Sequence, residues 1–220
     1  PEDKTAVKSV VVPEAEAVTL NKDFKEQAGI RESSRVFEEM LVITEKLFTD
    51  FVTRNSLSIK AVSDAVKDLI DTVREQRNFI LRLADMKSDE KNYIVVHSVK
   101  TAILSVAMGI NLKIPVHKLI ELGMAALLHE IGMIRLPPQL YMSSKVLSKE
   151  EKRAIAAHTV LGFKLLKSFS FPIPVCIAVL DHREHLDGTG YPRGIKAERI
   201  SLPSRIIGVS SSYSALVSKR

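Results

Sequence analysis

Apolar residues recur at helical spacing along most of this chain. From Ser34 onward, Phe37, Leu41, Phe48 and Phe51 fall on one helical face, and Ser34 itself is a suitable N-cap for that helix. The alternation of apolar and polar residues that half-buried strands show is nearly absent after residue 33. The sequence therefore predicts an all-α protein built as a bundle of helices.

Later segments repeat this pattern, and several carry a recognisable start signal. The predicted helices are one that begins at Ser58, one from about Asn92 to Ile110, one that starts at Pro115 and ends in the HEIG segment, one that opens with a Ser148/Glu151 capping box and carries His158, a short one that ends near His182, and one over Leu202–Leu216.

The first 33 residues differ from the rest. They are polar and mixed, apart from the short β-branched run AVKSVVVP. We expect residues 1–33 to form a flexible lead-in or a short β segment, followed by an N-terminal helical region over residues 34–83. Residues 84–220 then form the main domain.

Charge, aromatic content and cysteine usage exclude several classes of protein. The net charge is +6 without a block of five like charges, and there is no Trp, so no nucleic-acid partner is expected. No uninterrupted apolar run reaches the roughly 18 residues of a membrane span. The single cysteine, Cys176, lies in the apolar run VCIAVL. These features predict a cytoplasmic protein in a reducing compartment.

Four of the six histidines lie on apolar helical faces, namely His97, His129, His158 and His182. Taken singly, each is more often a hydrogen-bonded core histidine than a metal ligand. Burying four imidazoles together without partners is unfavourable, and a shared divalent cation satisfies all of them. With the carboxylate of Glu130, these donors suit Fe, Mn, Zn or Ni. We therefore expect the four histidines to converge on one centre.

A loop dense in turn residues follows the helix that ends near His182. It contains the sequence DGTGYP, and we call it the GYP loop. Its glycines, together with Gly194, permit positive φ or close backbone approach, and Pro192 stiffens the turn. Tyr191 is thereby held as an exposed aromatic side chain with a hydroxyl group. An ordinary surface loop has the same composition, so its position next to a candidate ligand helix is what favours a binding role.

Positive side chains surround this loop, which favours a small anionic ligand such as a phosphodiester. The candidate ligand-binding residues are Arg183, Tyr191, Arg193, Lys196 and Arg205, and Arg199 lies near them. A guanidinium can pair with phosphate through two hydrogen bonds, so Arg183 is expected to bind the anion. The alternatives are a solvated basic rim, or an Arg183 side chain that turns to solvent or pairs with Glu184 or Asp187.

From about Leu81 to Arg220 the chain resembles the HD-GYP domains, a branch of the HD phosphohydrolases that hydrolyses cyclic di-GMP in bacterial signalling. The segments NYIVVHSVKTAILSVAMG, ALLHEIG, LSKEEKRAIAAHTVLGFKLL and DHREHLDGTGYPRG carry this resemblance. It implies an HD-type helical bundle with His97, His129, Glu130, His158 and His182 as metal ligands. It also implies cyclic di-GMP or a related phosphodiester as ligand. Glu130, in place of the aspartate that bridges two metals in the family, becomes the candidate catalytic residue.

The chain departs from the family pattern at four positions. Glu130 replaces aspartate, Arg183 replaces a second consecutive histidine, Ser211 replaces a ligand aspartate, and Met133 replaces a lysine. Arginine is not a practical metal ligand. We expect one metal ion or none, and a chain that stops before the closing helices of the family.

Three functions follow from these observations. The favoured hypothesis is a catalytically impaired signalling domain that binds a cyclic dinucleotide, or a protein partner through the GYP loop. The alternative is an active metal-dependent cyclic di-GMP phosphodiesterase with an unusual ligand set. A helical scaffold without a ligand ranks last, because it does not explain the four aligned histidines or the DGTGYP loop.

Overall fold

The computed structural model describes residues 14–85, 93–142 and 146–217. Within these ranges every regular element is helical, which confirms the predicted all-α fold. The α-helices are α1 (Glu14–Arg54), α2 (Ile59–Glu75), α3 (Arg77–Asp85), α4 (Tyr93–Asn111), α5 (Val116–Leu128), α6 (Gln139–Met142), α7 (Lys149–Ala156), α8 (His158–Ser168), α9 (Ile173–Asp181) and α10 (Leu202–Val217). Short 3₁₀ helices cover Ile131–Arg135 and Ala197–Arg199.

The first helix begins twenty residues earlier than predicted. Helix α1 runs without interruption from Glu14 to Arg54, so Ser34 lies inside it and is not an N-cap. Arg35 pairs with Glu32 at 2.7 Å across the predicted boundary and with Glu39 at 2.6 Å after it. Such i,i+3 and i,i+4 pairs support a continuous helix. Residues 14–33 therefore belong to α1 and do not form the expected lead-in, whereas residues 1–13, which contain the whole predicted β segment, lie outside the described residues.

The other predicted starts are confirmed with small differences. Ser58 accepts a hydrogen bond from the backbone N–H of Ala61 at the head of α2. Ser148 and Glu151 form the predicted capping box. That box, however, opens α7, and a separate helix, α8, begins at His158 after a one-residue break at Ala157. The break sets His158 at the first position of its own helix.

Helix α4 lies at the centre of the bundle and packs against α5, α10 and α3, while α5 also contacts α2 and α9, and α8 packs on α9. One hydrophobic core continues from Val36 in α1 to Ile207 in α10. Because the N-terminal helices share this core, the predicted division near residue 83 does not separate two cores. The division of the chain into domains stays a prediction.

The expectation that no segment is long and apolar enough to span a membrane was wrong for helix α4. By length and composition alone, Tyr93–Asn111 is long and apolar enough to do so, and it is the one such helix among the described residues. However, 67% of its apolar stretch is buried inside the protein. Packing at the centre of a bundle accounts for that composition, since a helix buried all round is apolar all round.

Candidate metal centre

Helix ends position three of the four predicted histidines. His129 directly follows α5, His158 begins α8, and His182 directly follows α9. His97 lies in the second turn of α4. The packing of α4, α5, α8 and α9 brings these positions together in the interior, where all four imidazoles are buried. The predicted convergence of the histidines is therefore observed.

Local hydrogen bonds orient three of these rings in the same way. In each, Nδ1 lies against the backbone carbonyl three residues earlier, which can only accept a hydrogen bond. The contacts are His129 to Ala126 at 2.8 Å, His158 to Ile155 at 2.7 Å and His182 to Val179 at 2.7 Å. Nδ1 therefore carries the proton, and in the neutral ring Nε2 presents a lone pair to the centre.

The Nε2 atoms then meet in two pairs. His158 Nε2 lies 3.3 Å from His182 Nε2, and His97 Nε2 lies 3.3 Å from His129 Nε2. Because Nδ1 of both His158 and His182 donates elsewhere, their facing nitrogens have no proton to share when both rings are neutral. A cation between the two lone pairs would satisfy both. This arrangement fits a metal ion bound through imidazole nitrogen.

The carboxylate of Glu130 lies between the two pairs. Its Oε1 is 3.6 Å from His129 Nε2 and 4.0 Å from His97 Nε2, while Oε2 is 3.5 Å from His158 Nε2. Two groups of donors that could hold a metal ion therefore share Glu130. We call His97, His129 and Glu130 the first donor group, and Glu130, His158 and His182 the second. The buried Oε2 has no hydrogen-bond partner among the described residues, and coordination to a metal ion would satisfy its lone pairs.

Arg183 occupies a position that neither alternative from the sequence anticipated. It does not turn to solvent, and its guanidinium Nη2 donates to Glu130 Oε1 at 2.8 Å. The side chain is 30% exposed, and its buried Nε has no hydrogen-bond partner within the described ranges. Glu184 and Asp187 are engaged elsewhere in the loop. The contribution of Arg183 to anion binding stays a prediction.

Burial and charge together set the protonation of the centre. Burial lowers the pKa of His129 to about 3, and burial also holds the pKa of His182 well below 6.5. Burial opposes ionisation of Glu130, but attraction to His158, His129 and Arg183 brings its pKa well below 4.5. Of these three partners, Arg183 alone is permanently charged. At neutral pH the centre therefore combines neutral imidazoles at His129 and His182 with an ionised carboxylate.

A close backbone approach next to Glu130 holds this arrangement in place. A Cβ added to Gly132 would overlap the carbonyl oxygen of His158, and it would also lie 2.7 Å from the backbone nitrogen of Gly162. Only glycine lets the 3₁₀ turn after Glu130 approach the start of α8 so closely. The glycine of the HEIG segment therefore brings His158 to Glu130.

One ion pair and several hydrogen bonds to the backbone hold the GYP loop in place. Arg193 binds the buried carboxylate of Asp181 through both Nε, at 3.0 Å, and Nη2. Glu184 accepts hydrogen bonds from three successive backbone N–H groups, at residues 193–195. Arg205 donates to the carbonyls of Ala197 and Ile200. The guanidiniums of Arg193 and Arg205 thus hold the loop, and their predicted anion contacts stay a prediction.

Two further loop residues were predicted to contact a ligand. The ring of Tyr191 lies edge-on to His158, with ring centroids 6.4 Å apart, so Tyr191 borders the centre. Lys196 is exposed. As predicted, glycines provide the unusual backbone of the loop, with φ of 84° at Gly188 and 59° at Gly194.

Two residues near the centre were missed from the sequence. Ser214 in α10 places its hydroxyl 3.1 Å from His97 Nδ1, so His97 is the one ring of the four whose Nδ1 meets a group that can donate or accept. Tyr93 stacks on His97, with ring centroids 5.5 Å apart. Tyr93 lies one helical turn before His97, a spacing that could have revealed it, whereas no local pattern marks Ser214. Ser211 is buried and contacts the carbonyl of Gly208 at 3.4 Å.

Comparison with known proteins places this centre in a family. A sequence model described as an HD domain matches residues 82–220, which is more than half of the chain. The chain belongs to the HD domain family. That family is metal-dependent, and the two donor groups of this HD domain fit the requirement. The resemblance to the HD-GYP branch, predicted from the GYP loop, is confirmed.

Relatives of this HD domain are named for cyclic di-GMP hydrolysis. It is 40% identical to cyclic di-GMP phosphodiesterase PdeB of Borreliella burgdorferi over 57% of this chain and 33% of that protein. It is 29% identical to a cyclic di-GMP phosphodiesterase of Pseudomonas aeruginosa over 87% of this chain and 46% of that protein. The chain thus spans between a third and a half of the length of these two relatives.

A solved structure shares the fold. An HDG"Y"P protein of Bdellovibrio bacteriovorus superposes with a TM-score of 0.72 at 19% identity, over 84% of this chain and 60% of that chain. At this identity the likeness supports the HD-type helical bundle.

Proposed function

We propose that this HD domain binds a divalent metal ion and a cyclic di-GMP-type phosphodiester and hydrolyses the ligand slowly, so that binding is its main signalling role. The observation that carries the proposal is the 2.8 Å ion pair between Arg183 and Glu130 inside a cluster of metal donors. A guanidinium on the shared carboxylate reduces what that carboxylate can offer to metal ions. The remaining donors still include paired imidazoles and the free Oε2 of Glu130.

Metal binding is supported by the state of the donors. His129 and His182 are neutral at pH 7 and direct Nε2 inward, and a metal requires such lone pairs. Imidazole and carboxylate donors suit Fe, Mn, Zn or Ni. The metal, when bound, would supply Lewis-acid stabilisation of charge on a phosphoryl oxygen. His158, His182 and Glu130 are the residues that would hold it.

Slow hydrolysis is supported by the chain's own substitutions. Ser211 offers a hydroxyl where a ligand carboxylate is expected by resemblance, and Met133 is buried and carries no charge. Removal of one charge-stabilising group at a reacting centre commonly lowers the rate by about 100- to 1,000-fold. We expect this domain to turn over cyclic di-GMP at least about 100-fold more slowly than an active relative such as PdeB.

Calorimetry and a hydrolysis assay test the proposal together. Cyclic di-GMP should bind the Mn-loaded protein, and removal of the metal with EDTA should weaken binding. Chromatography should show little linear product with added Mn or Fe. Tyr191→Ala should weaken binding because Tyr191 borders the centre, whereas Tyr213→Ala, on the exposed side of α10, should not. No binding in the presence of Mn would refute the proposal.

A second candidate is the active phosphodiesterase with an unusual ligand set. The 40% identity to PdeB and the sharing of Glu130 by both donor groups favour it. Rapid hydrolysis with Mn or Fe in the same assay would establish this candidate.

A protein partner at the GYP loop and a cytoplasmic location remain parts of the proposal. Leu186, 60% exposed at the start of the loop, is the residue most suited to an apolar contact. Loss of a co-purifying partner in Leu186→Ser, with cyclic di-GMP binding retained, would support this contact.

A further inference from the structure

The two carboxylate oxygens of Glu130 have different surroundings. Oε1 accepts the hydrogen bond from Arg183 and lies beside His97 and His129. Oε2 lies 3.5 Å from His158 Nε2, is buried, and has no hydrogen-bond partner in the part of the chain that the structure describes. Of the described cationic side chains, Arg183 thus pairs with one oxygen and leaves the other without a hydrogen bond.

The permanent charge of Arg183 and its fixed backbone hold its side chain beside Glu130. Its guanidinium stays charged at every pH at which the protein is folded, and it has no lone pair to offer a metal. Arg183 directly follows His182, and its backbone carbonyl accepts a hydrogen bond from Tyr191 N. Its backbone is therefore held on both sides of the side chain. A metal ion in the first donor group would have to displace the guanidinium or lie beside its positive charge.

We propose that Arg183 acts as a built-in cation in place of one of two metal ions. The second donor group then holds the metal, through His158, His182 and Glu130 Oε2, and the guanidinium keeps the first donor group free of metal. This inference rests on the proposed function, because it assumes that the centre binds metal at all. It adds which donors hold the ion and why there is one.

A substitution at Arg183 can distinguish two explanations for why the centre binds one ion. If Arg183 merely lacks a donor atom, an uncharged residue without a donor changes nothing. If the guanidinium excludes the ion, that same residue releases Oε1 and lets a second ion bind. Arg183→Met tests this, because methionine is unbranched like the arginine stem, uncharged and a poor ligand for Mn. Arg183→Lys keeps the charge, and Arg199→Met is a matched control at an exposed arginine in the 3₁₀ helix that follows the GYP loop.

Titration with Mn alone, followed by calorimetry and electron paramagnetic resonance, gives the stoichiometry without any activity measurement. The wild-type protein, Arg183→Lys and Arg199→Met should each bind one Mn. Arg183→Met should bind a second Mn at least ten-fold more tightly than the wild type does. Arg183→His should bind two Mn more tightly still, with the spectrum of a spin-coupled pair. Circular dichroism should show that each variant retains its helices.

The outcomes distinguish this inference from the proposed function. Two tightly bound Mn in the wild type would overturn the built-in cation and leave metal binding intact. One Mn in both wild type and Arg183→Met, with two in Arg183→His alone, would show that only a donor is missing, and would also overturn it. No Mn in any variant would overturn both.

Discussion

The first and second donor groups use the same kinds of residue but differ in how their polar atoms are satisfied. In the first group, Ser214 meets His97 Nδ1 and Arg183 meets Glu130 Oε1. In the second, Glu130 Oε2 has no hydrogen-bond partner among the described residues, and the lone pairs of His158 and His182 face each other. Buried polar groups without partners are unfavourable. Two groups built from the same residue types therefore differ in whether a protein cation already lies beside the shared carboxylate.

Gly132→Ala should have the largest effect on the centre, because it moves His158 away from Glu130 within the second donor group. The added Cβ would overlap the His158 carbonyl, so α8 must shift. We expect the free energy of unfolding to fall by about 3 kcal/mol, the upper end for overpacking, with loss of tight metal binding. Urea denaturation and Mn titration measure both effects.

Gly162→Ala is the matched control for that variant. Its Cβ would approach Val179 Cγ1 at 3.0 Å, a side-chain atom that can move. We expect a change of about 1 kcal/mol or less and retained metal binding. Equal destabilisation by both substitutions would contradict the special role of Gly132.

The same substitution in each donor group should show which group binds the metal ion. His182→Gln removes a ligand from the second group, and we expect Mn affinity to fall about 100-fold or more, since even residues behind the ligands contribute 10- to 100-fold. His97→Gln, in the first group, should lower it less than about ten-fold on the same basis. Calorimetry with Mn measures both, and equal losses would place the ion between the two groups.

Acidification should destabilise the metal-free protein well above the range of ordinary carboxylates. The folded-state pKa of His129 is about 3, against 6.5 ordinarily, and that of His182 is also lowered. Below pH 6.5 the unfolded chain therefore binds protons that the folded protein does not, so stability falls as the pH falls. Each histidine contributes roughly 1.4 kcal/mol per pH unit.

Urea denaturation in EDTA at pH 7.5 and pH 5.5 measures this effect. His129→Gln removes one of the two groups and should reduce the pH dependence, whereas the exposed His117→Gln should leave it unchanged. A free energy of unfolding that is equal at both pH values would show that these imidazoles are not buried neutral.

Ser214→Ala should have the smallest effect. It removes the hydrogen bond between Ser214 and His97 Nδ1, at 3.1 Å, and such a bond contributes about 1 kcal/mol. Because Ser214 supports the first donor group, Mn affinity should change less than about three-fold, well below a typical loss of a group behind a ligand. Nitrogen-detected nuclear magnetic resonance should show an altered tautomer population at His97. Ser211→Ala is the control, because the Ser211 hydroxyl contacts the Gly208 carbonyl of its own helix.

Local sequence decided most of the helices and the orientation of three histidines. Capping at Ser58 and Ser148 acts within four residues, and the Nδ1 contacts of His129, His158 and His182 each span three residues. Such short-range interactions can be read from spacing. The early start of α1 was missed because the segment before Ser34 is polar and mixed and shows no apolar stripe, although the Glu32–Arg35 pair continues the helix across that point.

Only tertiary structure decided how the centre is divided. Arg183 and Glu130 are 53 residues apart, and His97 and Ser214 are 117 apart. Their contacts depend on how α4, α5, α9 and α10 pack, and no local pattern encodes that packing. From the sequence, Arg183 was a lost ligand and a candidate for phosphate. In the folded protein, the guanidinium of Arg183 lies 2.8 Å from Glu130 Oε1, so it pairs with the carboxylate that a metal ion would also bind.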